Sequence, residues 1–361
     1  MLPSLNPDSE PGPVAGGPRP DSGGLRDAYL RLLKLSLCDL TGVQTREVRW
    51  TEDRRVFSRT LTDERQLRHR AEGKDWPLDG VTMVGLARLD DLQACVETIV
   101  AEDVPGDLIE AGAWRGGASI LIRATLDTLG ATDREVWVAD SFQGFPAPQE
   151  GDSDADRRLE SEMGKIDFLA PTVDGVRENF ARFGVSEGVT FVPGFFEQSM
   201  AGLTGRRWSL VRVDADTYRA TMVVLRALYP GLAEGGYVVI DDYFHPYLPD
   251  SCRKAVDDFR DEHGIADPIE QIDWNGARWR KSSAPEDVAE APGPAAIAHQ
   301  RVALDGGESR IPTDRELELS DEVAALRAAL DAAPHRRPGV RASPPARLLS
   351  RAWRRGRNAA R

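Results

Sequence analysis

The sequence predicts an α/β fold in which a mostly parallel sheet ends in an antiparallel hairpin and carries helices on both faces. Three observations predict it. From about 90 to 282, short apolar runs alternate with helical patterns, as expected of a parallel sheet covered on both sides. A glycine-rich turn follows the first run and opens a helix. Two last runs, 269–274 and 277–281, flank Asn275-Gly276, a strong hairpin signal.

The elements follow in order. Residues 1–24 are rich in Pro, Gly, Ser and Asp and are expected to be disordered. Over 25–40, Leu25, Tyr29, Leu32, Leu33 and Leu40 fall at roughly helical spacing, so this helix should turn that face to the core. With it, 25–90 is read as an N-terminal helical, lid-like part and 91–282 as the catalytic α/β core. A helix through 92–100 precedes a strand at 107–110. A helix at 118–129 leads to a strand at 135–139, and a helix near 173–183 to one at 189–192. A strand at 210–213, a helix over 221–229 and a strand at 236–240 complete the alternation. Residues 283–312 are rich in Ala, Pro and Gly and read as a linker. Thr313 can cap a short helix over 313–333, with Leu319, Val323, Leu326 and Leu330 along one seam. The segment 334–361 reads as a basic disordered tail, its arginines mixed with Leu348, Leu349 and Trp353. Such a tail suits weak contact with a membrane surface or an acidic partner.

The chain has 361 residues, 41% of them hydrophobic, which is enough for a sizeable core. A formal net charge of -13 argues against nucleic acid as a partner. The three cysteines, Cys38, Cys95 and Cys252, are far apart and form no CxxC pair, and the five histidines are scattered. A disulfide framework and a zinc site are therefore not expected, and a reducing cytoplasm is. No apolar run is long enough to span a bilayer, and no signal-peptide pattern opens the chain. A homodimer or higher homo-oligomer is the expected assembly.

The first chemical signal is Asp107-Leu-Ile-Glu110-Ala-Gly112-Ala113-Trp-Arg-Gly116-Gly117-Ala-Ser119. A strand ends in an acid, passes through glycines that let a ligand approach the backbone, and enters a helix. The spacing is not G-x-G-x-x-G, and the glutamate suits a cationic ligand better than a pyrophosphate. S-adenosylmethionine, with its ammonium and sulfonium, is such a ligand; a purely structural turn is the alternative. The second strand ends at Asp140, before Ser141, where an acid can accept from ribose hydroxyls or merely cap a turn. After the third strand come Gly194, Phe195 and Phe196, where an aromatic could cover a base or simply pack.

The second signal lies at two later strand ends, which carry Asp214 and Asp216, then Asp241 and Asp242. In a parallel sheet these termini open on one edge. Four carboxylates there repel unless they take up protons or share a cation, and an all-oxygen site favours Mg2+, Mn2+ or Ca2+. A divalent ion would lower the pKa of an acceptor hydroxyl, and a neighbouring carboxylate could take its proton. Independent helix caps are the alternative.

At this point the chain resembles the macrocin O-methyltransferase family, from about Tyr29 to Lys281. The resemblance is carried by Asp75-Trp76-Pro77-Leu78, Thr82-Met83-Val84-Gly85, Arg88-Leu89-Asp90, the loop from Glu110 to Gly117, Val138 to Phe142, Asp214 to Tyr218, Gly235-Gly236-Tyr237, Asp241-Asp242-Tyr243, Asp273-Trp274 and Trp279-Arg280. It implies a class I methyltransferase (Rossmann-like) sheet. It implies S-adenosylmethionine as methyl donor, with Mg2+ or Mn2+, and a sugar or phenol hydroxyl as acceptor. Metal ligands would fall on Asp214, Asp241 and Asp242 and the catalytic base on Asp216. Cofactor contacts would fall on Thr82, Met83, Glu110, Gly112, Asp140 and Ser141, with Ala113, Ser119, Gly194, Phe196 and Asp214 beside them. The segment Gly194 to Ala201 departs from the family's usual G-x-F and T-L-P pattern. The stretch Phe244 to Pro249 looks longer than usual, which places Tyr243 and His245 as candidate acceptor contacts; a solvent-exposed loop histidine is the leading alternative for His245. A catechol-type phenol methyltransferase and a non-catalytic docking module are the competing functions.

Overall fold

A computed structural model describes residues 22–42, 44–50, 56–246 and 249–282. The N-terminal disorder expected over 1–24 lies outside the described residues up to residue 21, and residues 22–24 belong instead to a helix; the linker beyond 282, the 313–333 helix and the basic tail also lie outside the described residues. The elements are α1 Ser22–Leu37, β1 Arg46–Trp50, β2 Val56–Thr60, α2 Glu64–Ala71, β3 Trp76–Pro77, α3 Leu86–Ala101, β4 Asp107–Ala111, α4 Gly117–Thr128, β5 Val136–Asp140, α5 Asp154–Met163, α6 Val173–Phe183, β6 Val189–Pro193, α7 Phe196–Ser199, β7 Trp208–Val213, α8 Tyr218–Leu228, β8 Leu232–Ile240, α9 Lys254–Glu262, β9 Glu270–Gln271 and β10 Ala277–Arg280.

The main sheet has the order β6-β5-β4-β7-β8-β10-β9. The pairs from β6 to β8 are parallel, and β10 and β9 run antiparallel at the end. Strand side chains alternate between two cores. Leu108, Val136, Val138, Leu210 and Val239 face the layer of α1, α3, α4 and α6. Ile109, Ala111, Trp137, Val211, Val213, Val238 and Ile240 face that of α8 and α9. Strands buried on both sides explain the continuous apolar runs in the sequence. The strand order reverses between β4 and β7, so the carboxyl ends of these two neighbours frame the crevice where ligands bind in such sheets.

Three expectations need correction. Helix α1 forms, but its buried face is Leu30, Leu33 and Leu37, whereas Leu25, Tyr29 and Leu32 are exposed. The leucine-dense sequence offers two apolar stripes, and the expected phase follows the wrong one except at Leu33 and at Leu40, which packs on the same core just past the helix. The 25–90 part is not simply helical: β1, β2 and β3 form a three-stranded antiparallel sheet. Strand β9 spans only two residues, because Asp273 Oδ1 accepts from the backbone N–H of Asn275 at 2.9 Å and of Gly276 at 2.7 Å. That side chain turns the chain where a longer strand would have continued. Among the described residues no helix is long and apolar enough to cross a membrane.

Candidate active site

Gly112 sits at the switch point with φ +96°, and its N–H donates to Ala139 O at 2.8 Å. A Cβ on it would lie 1.7 Å from the Asp214 carbonyl, so only glycine lets β4 turn this tightly against the end of β7. Trp114, Phe142 and Asp216, which follow β4, β5 and β7, all have positive φ without being glycine. Strained backbone of this kind gathers at functional edges.

Asp140 fastens the loop. Its oxygens accept from Trp114 N at 2.9 Å and Phe142 N at 2.7 Å. Burial raises its pKa, with these backbone donors opposing. The Ser141 hydroxyl donates to Gly144 O at 2.7 Å, closing the adjoining turn. Gly194 N donates to Asp140 O at 2.9 Å, so the ends of β5 and β6 are tied together. Phe196 is half-buried against the α8 core. Thr82 is buried, its hydroxyl accepting from Val84 N at 3.1 Å, and Val81 O accepts from Gly117 N at 3.0 Å. This brings the Thr82-Met83 segment to the start of α4.

Glu110 and Ser119 lie beneath the loop. Both are buried, and the Ser119 hydroxyl donates to Glu110. The other Glu110 oxygen accepts from Arg212 Nη1 at 2.6 Å. Burial raises the Glu110 pKa, with Arg212 and Ser119 opposing. Ala113 is buried in the loop itself.

The acidic residues divide in a way the sequence did not show. Carboxylate oxygens of Asp214, Asp216 and Asp242 come within 4.8 Å of one another. Asp241 is not one of that trio: one of its oxygens accepts from Arg212 and the other from Arg88. Burial alone would raise the Asp241 pKa, but Arg88 and Arg212 outweigh it and hold the carboxyl below its ordinary value. Burial and neighbouring carboxylates drive Asp214 and Asp216 well above theirs. Asp242 accepts from Asn275 Nδ2 at 2.9 Å. Hard oxygen donors this close, without histidine or cysteine among them, fit a divalent cation such as Mg2+ or Mn2+.

Tyr243 is not an acceptor contact. Its ring is buried in the α8 and α9 core and its hydroxyl donates to Asp257 on α9 at 2.6 Å. The favoured exposed-loop reading of His245 also fails: the residue is half-buried, its ring 5.8 Å from that of Trp274. Burial lowers its pKa, and its backbone N–H donates to the Asp242 backbone carbonyl at 3.3 Å. Arg88, Arg212 and Asn275 were missed by sequence reasoning. An arginine inside the apolar run 208–213 was the available signal for a buried ion-pair centre. An aromatic stack was also missed: Phe168 packs on Trp76 and Trp114, with Arg115 over both Trp114 and Phe168.

Helix α5 is clasped to the start of α8 beside Asp216. Asp156 accepts from Tyr218 N at 3.1 Å, and Arg219 pairs with Asp152, Glu160 and Glu197. Burial, then Asp152, raises the Glu160 pKa to about 7. The raised value means that protonation favours the folded state. Stability from this group is complete below the ordinary glutamate value of about 4.3 and is lost as pH rises through about 7. Glu160→Gln is therefore expected to remove part of the fall in melting temperature across that window. Melting curves of both proteins against pH check this; parallel curves would exclude the effect.

Residues 28–281 match the family described as Macrocin-O-methyltransferase (TylF). The 8-demethyl-8-(2,3-dimethoxy-alpha-L-rhamnosyl)-tetracenomycin-C 4'-O-methyltransferase of Streptomyces olivaceus is 43% identical over 262 residues, covering 72% of this chain and 94% of that protein. Mycinamicin III 3''-O-methyltransferase of Micromonospora griseorubida is 44% identical over 217 residues, 59% of this chain and 84% of that one. The solved structure of the O-methyltransferase NovP superimposes with a TM-score of 0.62 at 36% identity, covering 72% of this chain and 100% of its own. With this extent of match around the same strand ends, the chain belongs to the macrocin-O-methyltransferase family.

Proposed function

We propose that this O-methyltransferase takes its methyl group from S-adenosylmethionine, needs a divalent metal, Mg2+ or Mn2+, and acts on a hydroxyl of a sugar or glycosylated natural product. The observation that carries the reading is the convergence of Asp214, Asp216 and Asp242 beside Gly112 at the switch point of the sheet. The relative whose name specifies a rhamnosyl tetracenomycin supports the acceptor class.

Asp214 and Asp242 offer convergent ligand oxygens, and Asp241 would be the third ligand by sharing or releasing one guanidinium contact. Asp216 is the base. A bound divalent ion would lower the pKa of the acceptor hydroxyl. The protein's own part is to place that hydroxyl and receive its proton. Asp216, its carboxylate beside those of Asp214 and Asp242, is placed to receive that proton. Gly112, Ala113, Thr82, Met83, Asp140 and Ser141 would hold the donor, with Gly194 and Phe196 available to its base. Glu110 supplies negative charge from beneath the loop, and its partner Ser119 holds it there. His245, beside Trp274, lines the acceptor side. Methyl transfer is an in-line displacement, so holding the two reactants in register is the other large contribution.

Isothermal titration with S-adenosylmethionine, followed by methyl transfer to a panel of glycosylated and phenolic acceptors, tests the reading. Wild-type chain should bind the donor. Glu110→Ala should weaken that binding by roughly tenfold, the loss of about 1.4 kcal/mol. Absence of donor binding by the wild-type chain would sink the reading, and transfer to simple phenols alone would move the acceptor to the catechol class.

A further inference from the structure

Arg88 stands in an unusual place. It lies in the first turn of α3, where the helix dipole disfavours a cation, and it is buried. Its side chain runs through a passage that only glycines leave open. A Cβ on Gly276 would lie 2.7 Å from Arg88 Cδ, and one on Gly73, whose φ is +68°, 2.6 Å from Nη2. At the end of that passage the guanidinium donates to Asp241 through Nη1 and to Asp273 through Nε at 3.1 Å. The other Asp241 oxygen is held by Arg212. Both oxygens of Asp241 are thus engaged by guanidinium groups. A metal can use Asp241 only by displacing or sharing one of them.

The two arginines are not equivalent. Arg212 is built into β7 and also holds Glu110 and Asp214, so its release would break three pairs. Arg88 comes from another element and has Asp273 as a second anion to keep.

We propose that Arg88 is a built-in counter-ion that competes with the divalent metal for Asp241: it holds the metal-free site together and lowers the affinity for metal. The proposal rests on the metal reading above. The guanidinium offsets one negative charge, shared between Asp241 and Asp273, until the metal arrives, and it repels a cation at short range.

Mn2+ binding to the full-length, chelator-stripped chain, measured from the electron paramagnetic resonance signal of free Mn2+, tests it. Arg88→Met keeps length and removes charge. It should bind Mn2+ tighter, on the order of tenfold. Its melting temperature should fall in EDTA, and the rise on adding Mg2+ should exceed that of wild type. Arg88→Lys keeps the charge but cannot hold Asp241 and Asp273 with one fork. It should tighten Mn2+ binding by less, and it carries the test if Arg88→Met does not fold. Unchanged or weaker Mn2+ affinity in whichever variants fold, with a wild-type metal response in melting, would make Arg88 a brace and overturn the competition. Failure of the wild-type chain itself to bind Mn2+ would overturn the metal reading and this proposal with it.

Discussion

Asp216→Asn is expected to lower kcat by roughly 100- to 10,000-fold while leaving S-adenosylmethionine affinity close to wild type, the range typical for removal of a positioned base. Asparagine keeps the shape and cannot accept the proton. The substitution is also conformationally mild, because Asp216 has φ +57° and asparagine is among the few residues that tolerate this region. Thr217, which caps α8 by accepting from Ala220 N at 3.3 Å, is untouched. A folding defect therefore should not masquerade as lost chemistry. Steady-state kinetics beside calorimetric donor binding separate the two effects. A wild-type kcat in Asp216→Asn would transfer the base role, with His245 the next group to examine because it lies beside Asp242 and Trp274.

The sheet was legible because its strands are short apolar runs buried on both faces, and the Glu110 to Gly117 loop because the tight turn at Gly112 leaves a glycine signature. The convergence of strand ends was legible too, since parallel strands must open on one edge. What the sequence left open was partner choice among like groups. Four aspartates at two strand ends look equivalent in a string of letters. They become distinct only when Arg88, 153 residues from Asp241, reaches it from α3. Asp140 could be read as a ribose acceptor or a turn cap. The structure shows its oxygens fastening Trp114 and Phe142, so any ligand meets a carboxylate already fixed in direction. Tyr243 misled for a similar reason: it follows two site acids, yet the chain turns there and packs it into the core against α9. The phase of α1 was ambiguous because leucine occupies both candidate faces, and only packing against α4 and α3 selects Leu30, Leu33 and Leu37.

Removal of divalent metal is expected to abolish methyl transfer, and added Mg2+ or Mn2+ to restore it. The reason is electrostatic. Among the described residues, Asp214, Asp216, Asp241 and Asp242, with Glu110 and Asp273, surround two buried guanidinium groups, Arg88 and Arg212. Without a cation the surplus must be met by protons, which is why Asp214 and Asp216 are driven up by burial and mutual repulsion. A protonated Asp216 cannot act as base. The sign of the pH effect follows. Groups raised in the folded state stabilise it fully below the ordinary aspartate value of about 3.9, and that contribution is lost as pH rises through their raised values. Chelator-stripped protein should therefore melt at progressively lower temperature as pH increases, and Mg2+ should flatten that slope by replacing the protons. Activity assays and melting curves in EDTA and in Mg2+, with residual metal measured by elemental analysis, provide the check. Full turnover at zero metal content would remove the divalent ion from the mechanism. A pH slope indifferent to Mg2+ would show that the trio of Asp214, Asp216 and Asp242 binds no cation.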